Sequence, residues 1–140
     1  MTGAGFASGR TVGLDKAMNQ TTAIRVSAMM GLLAVALGAF GAHGLEKVLQ
    51  QNNRVDTWET AVFYHFIHAV MLYLLAASPS FRRGAWWGFL IGILIFSGTL
   101  YALCLTNIRW LGAITPIGGI SLMAGWILLV IKPPSGGASA

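Results

Sequence analysis

Residues 85–105 read AWWGFLIGILIFSGTLYALCL, a stretch without a charged side chain. About 20 helical residues of this apolar character are long enough to cross the hydrocarbon core of a bilayer. Three further apolar stretches of similar length lie at residues 24–44, 58–77 and 112–131. In the bilayer core no water is available to hydrogen-bond the backbone, so each backbone polar group must be bonded within the protein. The period-two alternation of a strand is absent from these stretches. The sequence therefore predicts an all-α protein, an integral membrane bundle of four transmembrane helices.

Helix-breaking residues separate the four spans and follow the last one. They are Asn52-Asn53, Ser78-Pro79-Ser80, Thr106-Asn107 and Lys132-Pro133-Pro134. We expect residues 23–132 to form the transmembrane domain, with flexible tails at residues 1–22 and 133–140. Residues 45–56 have an apolar face that includes Leu45, Val48 and Leu49, which predicts a short interfacial helix after the first span.

The first span also contains the elements of a signal peptide. Arg25 precedes the apolar run at residues 26–37, and Ala39-Phe40-Gly41 resembles a small-residue cleavage site. Cleavage there would leave three spans. Because the stretch is long enough to cross a bilayer and the charge distribution suits four spans, we expect the first span to be retained.

The composition indicates a protein surrounded by lipid rather than by water. Apolar residues make up 56% of the chain and charged residues only 9%, whereas a soluble domain has about 25% charged residues. The net charge of +5 comes from basic residues that are scattered along the chain, apart from one Arg-Arg pair. Scattered charges do not form the basic stripe that nucleic acid requires. We expect the lipid bilayer as the main partner, other membrane proteins or a second copy as further partners, and no nucleic acid.

The basic residues divide unequally between the two ends of the spans. One side carries Lys47, Arg54 and Arg109. The other side carries a larger set: Arg10, Lys16, Arg25, Arg82, Arg83 and Lys132. By the positive-inside rule, this distribution predicts a multi-pass protein of the bacterial inner (plasma) membrane with both termini in the cytoplasm.

Small residues recur on one face of three spans. Such faces let two helix backbones approach closely, either within one chain or between copies. The candidate packing residues are Gly38 and Gly41 in the first span, Gly84, Gly88 and Gly92 in the third, and Gly118 and Gly119 in the fourth. Pro116 predicts a kink in the fourth span. We interpret this kink as packed by its neighbours, with a broken helix that lines a transport site as the alternative.

All three histidines and most of the carboxylates lie between residues 43 and 68. Glu59 precedes His68 by nine residues, so the two side chains lie on roughly opposite faces of a helix. They cannot form an acid–base pair on that helix. We expect Glu59 to belong to a capping box that begins at Asp56 or Thr57, with its charge stabilised by the helix N-terminus.

His68 is the histidine predicted to lie deepest in the membrane. It shares a helix face with Tyr64. We expect its ring to hydrogen-bond a neighbouring helix, with Gly38 or Gly41 of the first span as the suggested position. His43 lies in the glycine-rich end of the first span. A metal or haem site built from His43 with His65 or His68 is an alternative. Because no HExxH or CxxCH spacing is present, the sequence favours no metal and no cofactor.

Several short motifs occur in order within residues 24–131. They are LGAFGAHGL at 37–45, ETA at 59–61, Tyr64 followed by His68, FSGTLY at 96–101 and LGAITPIGG at 111–119. With these motifs the chain resembles the YgdD-like family of small inner-membrane proteins. The resemblance implies a four-helix membrane protein whose molecular function is not established. It marks His43, Glu59, Tyr64 and His68 as candidate functional positions, whereas His65 and the N-terminal tail depart from the family pattern.

The sequence contains no nucleotide-binding, redox-thiol or nucleophile motif, and its single cysteine, Cys104, lies in an apolar run. We therefore expect a protein that is not an enzyme and that acts as a structural or accessory component of the membrane. The alternative function is a small transporter or proton-handling protein that uses His68 and the kinked fourth helix. A haem- or metal-binding redox protein is the third and least favoured hypothesis.

Overall fold

The computed structural model describes residues 4–131, with side chains from Gln20 onward. Its elements are α1 (Ala4–Ala42), α2 (Glu46–Gln51), α3 (Val55–Ala77), α4 (Arg83–Thr106) and α5 (Leu111–Ile131), and the described residues contain no strand. Four segments are long and apolar enough to cross a membrane: Gln20–Ala42 of α1 and the whole of α3, α4 and α5. The predicted all-α fold with four candidate membrane spans is confirmed.

The N-terminal segment and the connection after the first span can be compared with the predicted boundaries. Helix α1 begins at Ala4, so the backbone of residues 4–22 is helical and continuous with the first span. The flexibility of residues 1–22 stays a prediction, and the predicted tail at 133–140 lies outside the described residues. Beyond the first span, α2 covers six residues and is shorter than the interfacial helix predicted for residues 45–56.

Two asparagines with left-handed backbone conformation follow α2 and α4, at the same end of the bundle. Asn53 has a φ of 53° and Asn107 a φ of 54°, in the left-handed region that asparagine adopts more readily than other residues with a Cβ. Asn53 follows Asn52, the C-cap of α2, and its left-handed backbone separates α2 from α3, which begins at Val55. Asn107 is the C-cap of α4, and its backbone N–H donates to the Leu103 carbonyl at 2.8 Å. This bond closes the last turn of α4 before the short connection to α5.

The four long helices pack side by side in chain order. Helix α1 packs on α3, α3 on α4 and α4 on α5, while α2 contacts α1, α3 and α4 at one end. The outer helices are largely uncovered. Within an 18-residue apolar stretch of each span, 17% of the residues are buried in α1 and 22% in α5, against 39% in α3 and 44% in α4. In a bilayer, these uncovered faces of α1 and α5 are available to lipid or to another protein.

Glycines bring α4 and α5 into backbone contact within one chain. A Cβ added to Gly88 would lie 3.1 Å from the Gly125 Cα, and one added to Gly118 would meet the backbone of Phe96. The Ser121 hydroxyl donates to the Gly88 carbonyl at 2.8 Å. The remaining candidate packing glycines of these two helices also face the neighbouring helix: Gly84 beside Leu128, Gly92 beside Leu122 and Gly119 beside Phe96. Small residues on both helices thus permit the close approach that drives association in lipid.

Helix α5 is continuous through Pro116. The preceding residue, Thr115, is buried, and its hydroxyl lies 2.9 Å from the Thr99 hydroxyl of α4. This contact ties the first turns of α5 to α4 beside the position where proline removes a backbone donor.

Candidate functional site

His68 joins α3 to α5. Its Nδ1 lies 2.7 Å from the Tyr64 carbonyl oxygen one turn earlier in α3. Because a carbonyl only accepts, Nδ1 donates this bond, and Nε2 of the neutral ring is an acceptor. Nε2 accepts a hydrogen bond from Trp126 Nε1 at 3.2 Å. The side chain is 6% exposed, so His68 is buried with both ring nitrogens bonded to protein groups.

Aromatic rings enclose the His68 imidazole. Tyr64 stacks on it with ring centroids 6.0 Å apart, and the Phe89 ring lies 5.4 Å away. Trp126 meets it edge-on at 6.2 Å. Tyr64 in turn packs against Phe96 at 4.6 Å. We name the contact of His68 with Trp126 the His68–Trp126 bridge. It connects α3 to α5, two helices that each pack on α4.

His65 occupies a second buried position, one turn before His68. It is 4% exposed, and its Nδ1 lies 3.2 Å from the Tyr101 hydroxyl of α4. Its Nε2 has no hydrogen-bond partner among the described residues, and the Met30 backbone of α1 lies near the ring. The His65 side chain therefore projects from α3 towards α1 and α4.

A groove of about 520 Å³ opens where α1 ends and α3 begins. We name it the α1–α3 groove. Gly38 and Gly41 of α1 line it together with Trp58, which is buried and donates from Nε1 to the Leu37 carbonyl at 3.1 Å. A Cβ on Gly41 would overlap the Trp58 indole. Glycine at this position is therefore what allows the indole to lie across α1.

Two carboxylates, those of Glu46 and Glu59, also line the α1–α3 groove. Both residues are exposed. Glu46 accepts a hydrogen bond from Gln50 at 3.1 Å, and neither carboxylate forms an ion pair with another described residue. The groove thus combines an apolar wall with unpaired negative charge.

Polar contacts fasten the connection between α2 and α3 to the end of α4. Asn52 donates from Nδ2 to the Cys104 carbonyl at 2.9 Å. The Arg54 guanidinium donates to the Asn107 Oδ1 at 3.2 and 3.3 Å. This network was not predicted from the sequence, although helix-breaking asparagines are visible in both connections.

The four candidate functional positions do not converge on one site. Glu59 lies in the α1–α3 groove, while Tyr64 and His68 contact each other further along α3, beside α5. His43 is exposed at the end of α1, and no hydrogen bond or ring contact joins it to another described residue. Within the described residues, no group of three His, Cys, Asp or Glu side chains could hold a metal ion.

The predicted hydrogen bond of His68 to a neighbouring helix is confirmed, because Trp126 of α5 donates to its Nε2. The suggested position of that bond on α1 is wrong, since Val62 and Trp58 fill the α1 face at Gly38 and Gly41. The capping box is also absent, because α3 begins at Val55 with Arg54 as its N-cap and without a side-chain capping bond. The aspartate and threonine at 56–57 therefore lie inside the first turn instead of before it.

A signal for His65 is visible in the sequence after the fact. Ala61 and Ala69 lie four residues before and after it and are buried. Residues spaced by four share one helix face, so these alanines mark the packed side of α3 on which His65 lies.

Comparison with known proteins identifies a family and several relatives of this chain. A family described as "Protein of unknown function (DUF423)" matches residues 37–119. The chain is 43% identical over 114 residues to the UPF0382 membrane protein YwdK of Bacillus subtilis, which covers 77% of this chain and 92% of the relative. A UPF0382 membrane protein of Schizosaccharomyces pombe is 38% identical over 113 residues, which covers 76% of this chain and 96% of the relative. No solved structure matches the chain.

Proposed function

Because the chain belongs to the DUF423 or UPF0382 family of membrane proteins, for which no function is established, we propose a function from its own architecture. The protein is a non-enzymatic accessory component of the membrane, a packed helical scaffold. Its inner helices α3 and α4 hold the outer helices α1 and α5 with their apolar faces turned to lipid and to neighbouring membrane proteins.

The observation that carries this proposal is the direct bonding of buried polar side chains between helices. The Trp86 indole donates to the Ser27 hydroxyl at 3.0 Å and links α4 to α1. The Ser97 hydroxyl donates to the Ala61 carbonyl at 2.9 Å and links α4 to α3. With the His68–Trp126 bridge between α3 and α5, these bonds connect each of the four long helices to at least one other. Polar groups that bond one another hold a scaffold together, whereas a transport path needs polar groups that are free to meet water or substrate.

The transporter hypothesis depends on His68 as a free ionisable group. Two features support a scaffold role instead: both nitrogens of His68 are engaged, and α5 is continuous through Pro116. A flux assay in proteoliposomes tests the difference. We expect proton and monovalent-cation flux equal to that of protein-free vesicles, for both the wild type and His68→Ala. Flux above this background that His68→Ala abolishes would replace the scaffold proposal with the transporter.

The accessory role has its own test, which is photo-crosslinking in native membranes. A photoreactive amino acid at Ile127, exposed on α5, reports on an outer helix, and one at Leu94, of equal exposure on α4, is the control. We expect a discrete protein adduct from position 127 that is absent from position 94. Adducts with lipid alone from position 127 would argue against a protein partner on α5.

We also propose that the protein lies in the bacterial inner membrane with both termini cytoplasmic. The support is the excess of basic residues at the end of the spans that includes Arg25, Arg82 and Arg83. We further infer that the YgdD-like family suggested by the motifs is this same family. The first and last motif residues, Leu37 and Gly119, are also the limits of the matched region.

A further inference from the structure

One end of the α1–α3 groove is expected at the boundary between membrane and water. The candidate span in α1 ends at Ala42 and that in α3 begins at Val55, so the groove starts at the ends of two spans. Its lining continues along α3 as far as Phe66, about 16 Å deeper at 1.5 Å per residue. The exposed Phe63 and Phe66 place the deep part of the groove on the lipid-facing side of the helix.

The polarity of the groove changes along its length. The deep part is lined by apolar side chains such as Val62 and Phe63, whereas Glu46 and Glu59 line the part near the helix ends. Arg54, the basic residue nearest in sequence to Glu59, donates its guanidinium to Asn107. The carboxylates are therefore available to a positive charge from outside the chain.

We propose that the α1–α3 groove binds a phospholipid whose headgroup carries a primary ammonium. One acyl chain lies along the apolar wall on α3, and the ammonium lies between Glu46 and Glu59. Charge complementarity selects this occupant: a lipid with a purely anionic headgroup would bring its negative charge to two unpaired carboxylates. The proposal does not depend on the accessory function, because lipid binding is measured without a protein partner.

Native mass spectrometry of the full chain tests the proposal. The detergent-purified protein is titrated with phosphatidylethanolamine or phosphatidylglycerol of identical acyl chains, and the lipid-bound fraction is measured for each. Exposed ion pairs contribute modestly, so we expect about threefold to tenfold tighter binding of phosphatidylethanolamine. Equal binding of the two lipids, or tighter binding of phosphatidylglycerol, overturns the proposal.

Charge-removing variants test the part played by the carboxylates. The double substitution Glu46→Gln and Glu59→Gln keeps the side-chain shapes and is expected to remove the preference for phosphatidylethanolamine. Asp56→Asn is the matched control, because Asp56 is an exposed acid near the same helix start that does not line the α1–α3 groove. Retention of the preference by the double variant contradicts the proposal, as does its loss in the control.

A groove-filling variant tests the location of the acyl chain. Ala42 is exposed and lines the groove, whereas Ala39 is exposed on the same helix and does not line it. Ala42→Phe is expected to reduce binding of both lipids, and Ala39→Phe to leave it unchanged. Unchanged lipid binding by Ala42→Phe would place the lipid elsewhere and refute the proposed site. A dimer of the wild type that excludes added lipid from the groove would identify a second copy as the occupant instead. If Ala42→Phe does not fold, the charge variants alone decide the outcome.

Discussion

Replacement of Gly118 by alanine tests whether the α4–α5 contact is a backbone contact. An ideal Cβ on Gly118 would meet the Phe96 backbone N and lie 2.7 Å from its Cα. A flexible side chain could rotate away from a new methyl group, but the backbone of α4 cannot. The two helices must therefore separate locally, which weakens the neighbouring contacts of the seam.

The magnitude follows from two opposing effects. Overpacking of a tight interface costs about 1–3 kcal/mol, and a clash with backbone belongs at the upper end of that range. Alanine restores up to about 1 kcal/mol of helix propensity relative to glycine. We therefore expect the free energy of unfolding of Gly118→Ala to fall by about 2 kcal/mol.

Gly98→Ala is the matched control, because a Cβ on this α4 glycine meets nothing within 4 Å. We expect it to be neutral or to raise the free energy of unfolding by up to about 1 kcal/mol. Both variants are measured by reversible unfolding with SDS in mixed micelles, followed by tryptophan fluorescence. If Gly118→Ala is as stable as Gly98→Ala, the close approach of α4 and α5 described above is incorrect.

Substitutions at three further positions are assayed in the same way. Ser27→Ala leaves the buried Trp86 Nε1 without its acceptor, and we expect a loss of about 1–3 kcal/mol; no loss would contradict the α1–α4 link. At Asn107, with φ 54°, alanine is expected to be less stable than glycine by about 1 kcal/mol, since both variants lose the side chain and only alanine is strained. Equal stability would argue against the left-handed cap. Trp126→Phe keeps a ring but removes the donor to His68, and we expect a loss of about 0.6 kcal/mol, typical of hydrogen bonds between membrane helices. A gain in stability would contradict the bridge.

The membrane spans were predictable because their length and apolar character are local properties of the sequence. The predicted spans at 58–77, 85–105 and 112–131 correspond to α3, α4 and α5, with ends that differ by no more than three residues. The start of α3 at Val55 was missed, because Asp56 and Thr57 resemble capping residues and the actual boundary depends on the left-handed Asn53.

The candidate site was less predictable, because it depends on which helices are neighbours. The spacing of Tyr64 and His68 correctly predicted that they share a face of α3. The partner on α5, Trp126, could not be chosen from spacing alone, since four spans can be arranged in several ways. Burial of His65 likewise depends on α1 and α4 lying on either side of α3.

Direct bonds between helices close the interior of the bundle around His68. Solid-state NMR of the ¹⁵N-labelled protein in bilayers tests it through the His68 imidazole. The structure predicts a neutral ring with the proton on Nδ1, an unprotonated Nε2 beside Trp126 and no magnetisation transfer from mobile water. Magnetisation transfer from mobile water to His68 in the wild type would contradict a closed interior and favour a water-filled path.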